Sequence, residues 1–275
     1  MMGVPSHLSR RQRLRDATVH EIKATARRLL VEDGPHSVTL RAIAREMGMT
    51  APGLYRYFSS HEELLGALVV DLYDELCDVL VASRSQVGHD DAGCRLICAS
   101  AAFRHWATTN PQEFALLFAS PVRGQKPVPI PGEPIGAPHK AGVRFESTFT
   151  EIFVDLWQSR PFPVPPDDVL PPDLVRQLSA HRQRTGEQLG TDASTLPLTA
   201  LNQFLVSWVE LYGMVAMEVF QHLHFCLDNP EPFFAASLAS IAERLGIRIP
   251  CGERGCVAGQ LCDGSEDLPP VPEPR

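Results

Sequence analysis

Thr39-Leu-Arg-Ala-Ile-Ala-Arg-Glu-Met-Gly-Met-Thr-Ala-Pro-Gly-Leu-Tyr-Arg-Tyr-Phe58 places two short helical patterns on either side of Gly48. Thr39 suits the cap of a first helix whose apolar side is Leu40, Ile43, Ala44 and Met47, the spacing that buries one helical face. Gly48 tolerates the left-handed backbone that ends a helix. Thr50 suits a second cap, and Pro52 in the following turn loses nothing, because early helical N–H groups have no intrahelical partner. Leu54 and Phe58, four apart, turn that helix inward and leave Thr50, Ala51, Gly53, Tyr55, Arg56 and Tyr57 facing out. Small residues near its start let the helix approach base edges closely, so the corner reads as a helix-turn-helix with DNA as partner. Spacing alone also fits an ordinary helical hairpin.

Charge separates the two readings. Residues 1 to 60 hold ten Lys or Arg against five acids, a net +5, which leaves −13 for residues 61 to 275 of a chain whose total is −8. A polyanion is attracted to the first part and repelled by the rest. Before the corner, residues 13 to 33 carry a helical stripe, Leu14, Thr18, Ile22, Ala26, Leu29 and Leu30, stopped by Gly34-Pro35. After it, Ser60-His-Glu-Glu63 has the form of a capping box opening a long helix with Leu64, Leu65, Leu68, Leu72, Leu76, Val79 and Leu80 on its stripe, reaching about residue 84. A three-helix head on a long connector is the expected arrangement.

Residues 13 to 80 resemble the DNA-binding region of the tetracycline-repressor (TetR) family of bacterial transcriptional regulators. The resemblance rests on Ala26-Arg-Arg-Leu-Leu-Val-Glu-Asp-Gly34, Thr39-Leu-Arg-Ala-Ile-Ala44, Met47-Gly-Met49, Leu54-Tyr-Arg-Tyr-Phe58 and Glu63-Leu-Leu65. It implies that Thr39, Arg41, Thr50, Ala51, Gly53, Tyr55, Arg56, Tyr57 and His61 form the DNA-binding set. Arg41 falls where a residue of the second helix reaches a base or phosphate, and arginine on guanine is the commonest specific pairing. Tyr55 and Tyr57 fall at phosphate or base contacts, and Arg56 at a variable position. His61 departs from the family, which usually has a lysine there as a phosphate clamp. A neutral imidazole can still donate one hydrogen bond, and the Coulombic part needs a protonated ring. His61 is therefore read as a modest phosphate contact rather than a pH sensor.

Helical patterns continue to about residue 249: Asp91 to Thr109, Pro111 to Ala119, Pro138 to Ser159, Pro171 to Leu189, Leu198 to Leu227 and Pro232 to Leu245, with Gly246 as a stop. Residues 121–136 and 161–172 are proline-dense and read as loops. The fold class expected is all-α: an N-terminal three-helix helix-turn-helix domain joined by a long connector helix to a larger helical ligand-binding and dimerisation domain. The boundaries are a basic arm at 1–12, the DNA-binding domain at 13–60, the connector at 61–84, the regulatory and dimerisation domain at 85–249 and a disordered tail at 250–275. Residues 101 to 245 resemble a class of TetR C-terminal domains known as WHG-like, through Phe114-Ala-Leu-Leu-Phe-Ala-Ser-Pro121 and Trp208-Val-Glu-Leu-Tyr-Gly-Met-Val-Ala-Met-Glu218. That resemblance implies a homodimer built from the last two long helices, for which Leu205, Tyr212, Val219, Phe234, Leu238 and Ile241 are the candidate interface. A dimer also follows from reading a palindromic operator, whose half-sites lie about 34 to 36 Å apart or a multiple of that.

The expected partners are thus double-stranded DNA, a second copy and an unknown small-molecule effector; no membrane and no cofactor are expected. An effector cavity in a helical domain is lined by apolar and aromatic groups. Candidates are Phe103, Trp106, Phe118, Phe145, Phe149, Trp208 and Met214, with His105 or Glu210 to orient the ligand; the alternative for each is ordinary core. Cys77, Cys94, Cys98 and Cys226 sit in helical patterns and read as small apolar residues. Cys251, Cys256 and Cys262 lack the Cys-x2-Cys spacing of a zinc site, so no metal site is assigned. Metal or redox sensing on the same fold stays open as an alternative, as does a helical adaptor that binds protein and not DNA. No Gly-x-Ser-x-Gly elbow, phosphate loop or Gly-x-Gly-x-x-Gly occurs, which argues against an enzyme. Without a signal peptide or an apolar run of about 18 residues, the expected setting is the cytoplasm.

Overall fold

Ser9 opens the first helix: its hydroxyl accepts from the Gln12 N–H at 3.2 Å, so α1 (Arg10–Asp33) begins ahead of residue 13 and takes Arg10, Arg11 and Arg13 into helical backbone. The computed structural model describes residues 9–85, 91–119, 136–190 and 195–247, and every regular element among them is helical. Residues 121–135 of the loop expected at 121–136 and the tail from Pro250, with Cys251, Cys256 and Cys262, lie outside the described residues. Two compact units divide the chain between Leu72 and Tyr73, with the described residues of Gln112–Ala141 belonging to the first. No described helix is long and apolar enough to cross a membrane.

The first unit packs α1, α2 (Leu40–Glu46), α3 (Ala51–Tyr55) and the opening turns of α4 (His61–Ser85) around Ile22, Ala26, Leu30, Ile43, Leu54, Phe58, Leu64 and Leu68, all buried. Each corner residue does what its chemistry suggests. Thr39 Oγ1 accepts from Ala42 N–H at 3.1 Å and Thr50 Oγ1 from Gly53 N–H at 3.3 Å. Gly48 has φ +62°, with its N–H on the Arg45 carbonyl and the Met49 N–H on the Ala44 carbonyl, the paired bonds of a left-handed helix stop. The capping box is half realised. Ser60 Oγ accepts from Glu63 N–H at 3.0 Å, but the Glu63 carboxylate turns to the backbone N–H and hydroxyl of Ser59, both at 2.6 Å. α6 (Pro111–Phe114) and the π-type turn Ala115–Ala119 follow; Phe114 packs on Phe118 with centroids 4.8 Å apart, and the buried Glu113 pairs with Arg27 at 3.2 Å.

The second unit holds α5 (Ala92–Thr109), α7 (Ala137–Ser159, from Gly142 onward), α8 (Pro172–Leu189), α9 (Leu198–Val219) and α10 (Glu231–Arg244), with α5 packed on α9 and α10. Asp91 caps α5 by accepting from Cys94 N–H at 2.9 Å. Asp167, far away in sequence, caps α9: its carboxylate takes the N–H groups of Leu198 (3.2 Å) and Thr199 (3.0 Å) and the Thr199 hydroxyl (3.0 Å). α9 stops at Val219, not at the expected Leu227. Gln221 adopts φ +59°, the His222 N–H reaches the Met217 carbonyl at 2.7 Å and the Gln221 N–H the Glu218 carbonyl at 2.9 Å. A glycine-type stop is thus made by glutamine, which carries no sequence signal for one. Gly246, with φ +65°, ends α10 as expected, and a Cβ there would lie 2.8 Å from that of Phe162.

Candidate DNA interface and effector core

The corner exposes one face and buries the other. Thr39, Arg41, Thr50, Ala51, Tyr55 and Arg56 are exposed, Gly53 and Tyr57 half-buried, while Leu40, Ile43, Leu54 and Phe58 are covered. Each capping threonine uses its oxygen as an acceptor, which leaves its hydroxyl hydrogen to donate to a phosphate. A Cβ at Gly53 would sit 3.2 Å from the Thr50 hydroxyl, so the small residue protects the cap.

The basic residues divide by what they already hold. Lys23 pairs with Asp71 at 2.5 Å, Arg27 with Glu113, and Arg28 with Glu32 and Glu46, each at 2.8 Å. Among the described residues Arg10, Arg11, Arg13, Arg41, Arg45 and Arg56 have no ion pair. Arg15 instead makes contacts within the chain. Its guanidinium lies 5.3 Å from the Tyr57 ring centroid and donates to the Arg56 carbonyl at 3.4 Å, so α1 touches the end of α3. No local pattern could reveal a contact across that sequence distance. His61 Nε2 lies 2.5 Å from the Val38 carbonyl, which only accepts, so Nε2 carries the proton of a neutral ring. Only Nδ1 is then left for a phosphate, and it donates only when the ring is charged.

In the second unit Phe103, Phe145, Phe149 and Trp208 come together: Trp208 lies 5.7 Å from Phe103 and from Phe145 and 5.1 Å from Phe149, centroid to centroid. Tyr73 joins at Phe145 (5.8 Å) and Tyr212 at Trp208 (6.3 Å), two ring contributors that sequence reasoning did not assign to this cluster. Burial holds the Tyr73 phenol up at about 12. Trp106 is buried and donates its indole N–H to Glu75 at 3.1 Å, while Met214 is half-buried on α9. Phe118 belongs to the first unit, on Phe114, and does not share this cluster. The two candidate orienting groups are otherwise placed: His105 is exposed and Glu210 is ion-paired with Arg244.

The interface candidates also divide. Leu205 is exposed and Tyr212 and Val219 half-buried, but Phe234, Leu238 and Ile241 are covered by the protomer's own core, where Phe234 lies under the Arg104 guanidinium at 4.8 Å. Arg104 itself is nearly buried; it holds both Glu218 oxygens at 2.7 Å and Glu231 at 2.5 Å, which ties α5 to the end of α9 and the start of α10. Among the described residues of α9 and α10, the large apolar side chains that do face out are Leu205, Val206, Val209 and Met217 on α9 and Phe233 on α10.

The described cysteines are free thiols, and burial, foremost, pushes Cys77, Cys94 and Cys98 up, Cys94 to about 11. Thiolate is the oxidisable form, and burial disfavours it at these three positions. No group of three potential metal ligands occurs among the described residues.

Residues 22–68 match the family described as bacterial regulatory proteins, tetR family, and residues 96–241 match the tetracyclin repressor-like C-terminal domain. The chain is 31% identical over 231 residues to HTH-type transcriptional regulator Mb1846 of Mycobacterium bovis, covering 83% of this chain and 92% of that protein. HTH-type transcriptional regulator Rv1816 of Mycobacterium tuberculosis matches to the same extent, 31% over 231 residues. The solved structure of SCO4313, described as a regulatory protein, superposes with a TM-score of 0.58 at 25% identity over 85% of this chain and 98% of that one. A Rhodococcus protein of unknown function shares the fold, with a TM-score of 0.55 at 17% identity over 88% of this chain and 97% of that one. The 31% identity to the mycobacterial regulators across most of both chains, together with matches to both halves, places this protein in the TetR family, a DNA-binding transcriptional regulator and not an enzyme.

Proposed function

We propose that the protein is a homodimeric repressor that reads a palindromic operator with two copies of the helix-turn-helix and releases it when a small-molecule effector enters the helical core of the second unit. The observation that carries the reading is the corner at Gly48, whose outward residues Thr39, Arg41, Thr50, Ala51, Tyr55 and Arg56 are exposed beside arginines with no intrachain ion pair. Arg41 and the start of α3 read bases, Thr39, Tyr55 and Tyr57 position the head on phosphates, and His61 adds to that set only in so far as its ring is protonated. Residues 13–60 act as the reading head, 61–84 as the connector and 85–249 as the sensing and dimerising part. α4 runs unbroken from His61 to Ser85, so a shift of its far end reaches the head. Its ligand must bind the released state more tightly than the bound one. The second copy docks on the outward apolar side of α9 and α10, and the aromatic cluster of Phe103, Phe145, Phe149 and Trp208 receives the effector. The protein works in the cytoplasm, where its DNA is.

Selecting genomic fragments on the full-length protein and sequencing them tests the reading. A palindromic motif, bound with an affinity that falls steeply with salt, is expected. Retention of DNA without sequence preference at low salt rejects it.

A further inference from the structure

α9 carries two stripes side by side. Gln203 and Ser207 stand four residues apart and share a face; Phe204 and Trp208, each one residue further on, share the neighbouring face. The aromatic stripe is anchored, with Phe204 stacked on Phe153 at 4.4 Å and Trp208 among Phe103, Phe145 and Phe149. The polar stripe is not satisfied. Gln203 Nε2 and Ser207 Oγ are buried without a hydrogen-bond partner, and Ser207 as a whole is only 4% exposed. Buried polar groups are nearly always paired, and two unpaired ones a helical turn apart on one face are an instability that a functional site can keep in reserve for a ligand.

We propose that Gln203 and Ser207 are the polar anchor of the effector site, and that the effector is a neutral carbonyl compound with an apolar body that packs beside Phe204 and Trp208. The inference rests on the effector-released reading above. Nε2 can only donate and Oγ can donate, so the pair suits one acceptor oxygen with two lone pairs. Of the α5 arginines, Arg104 is committed to Glu218 and Glu231, and Arg95 holds Asp155 through Nη2 while its Nε is buried without a partner; neither belongs to the α9 stripe. A buried carboxylate would meet only neutral donors from this stripe, which leaves its charge uncompensated; a ketone, ester, lactone or amide carries no such cost. The same stripe supplies what His105, exposed, and Glu210, paired with Arg244, do not.

The test uses the full chain with two matched pairs of probes: coumarin against naphthalene, and butyrophenone against butylbenzene. Thermal stabilisation and release of selected operator DNA are the readouts. The carbonyl member of each pair is expected to stabilise the protein and release DNA, its partner to do so far less. With Ser207→Ala, and separately Gln203→Met, the carbonyl probes should need about tenfold higher concentration, the size expected for one lost hydrogen bond. Ser207→Ala should also raise the melting temperature without ligand, because it removes an unpaired hydroxyl. Equal action of both members of a pair, no response to any of the four probes, an unchanged response in both variants or a lowered melting temperature for Ser207→Ala overturns the assignment. The thermal arm needs no DNA, so failure to select an operator would sink the regulator reading while stabilisation still decides the anchor.

Discussion

Arg28 and Arg41 carry the same charge and meet different fates. Arg28 lies between Glu32 and Glu46, which raise its affinity for its proton, whereas Arg41 faces out from the first turn of α2 without an ion pair. Arg41→Ala should therefore cost about 1 to 3 kcal/mol of operator binding and relax discrimination at one base; an unchanged operator preference in a binding-site selection removes Arg41 from the reading set. His61 gives the opposite prediction. Its Nε2 is engaged by the Val38 carbonyl, so a neutral ring offers a phosphate no donor. His61→Lys places a full charge at the start of α4 and should tighten operator binding and steepen its dependence on salt by about one phosphate contact. Titrating both proteins at several salt concentrations reads the slope, and a melting curve reports separately what the lost Val38 bond was worth. Thr39, Gly48, Thr50 and Pro52 were legible because a cap or a helix stop is decided within four residues. The pairing of Lys23, Arg27 and Arg28 was not, because Asp71, Glu113 and Glu46 reach them only through the fold.

At the scale of the element, helix ends were readable where the chain spells them locally and silent where it does not. Asp91 precedes α5 directly and is an ordinary cap signal, whereas the cap of α9 arrives from Asp167 in a 3-10 turn, Asp167–Val169. Burial works against the charge of Asp167, but hydrogen bonds from Thr199 and Leu198 prevail and hold its carboxyl below the usual carboxylate range. A depressed folded-state value contributes stability that is complete above the unfolded value, about 3.9, and is lost as pH falls through the folded one. Asp167→Ala should thus cost about 1 kcal/mol near neutral pH, and the gap between variant and parent should narrow as pH drops below about 4. Denaturant curves across that range check it; a gap independent of pH would mean that the charged form does not matter. The far end of α9 went unread because Gln221, not glycine, takes the left-handed position. Gln221→Gly should relieve that strain and stabilise the protein by about 1 kcal/mol, visible as a raised melting temperature.

At the scale of the whole molecule, the hydrophobic pattern of α9 and α10 announced that both helices are apolar on more than one side, but it could not say which side the protomer uses itself. Periodicity gives a face; only the packing of α5 against both helices decides that Phe234, Leu238 and Ile241 turn inward. The side left out is defined by exposure: Val209 is 61% exposed, Val206 48%, Phe233 45%, Leu205 44% and Met217 41%. Apolar groups left in water on two adjacent helices favour association with a matching surface, and a two-fold dimer brings the same patch twice. Val209→Glu separates this face from the fold. Because the side chain is exposed in the protomer, the substitution should leave its stability within about 0.5 kcal/mol. In a symmetric interface it would bring two unpaired carboxylates into an apolar contact, which costs far more. The expected outcome is a folded monomer by sedimentation, with operator affinity lost because each head alone reads half a palindrome. A variant that still sediments as a dimer and binds operator like the parent places the contact between copies elsewhere on the molecule.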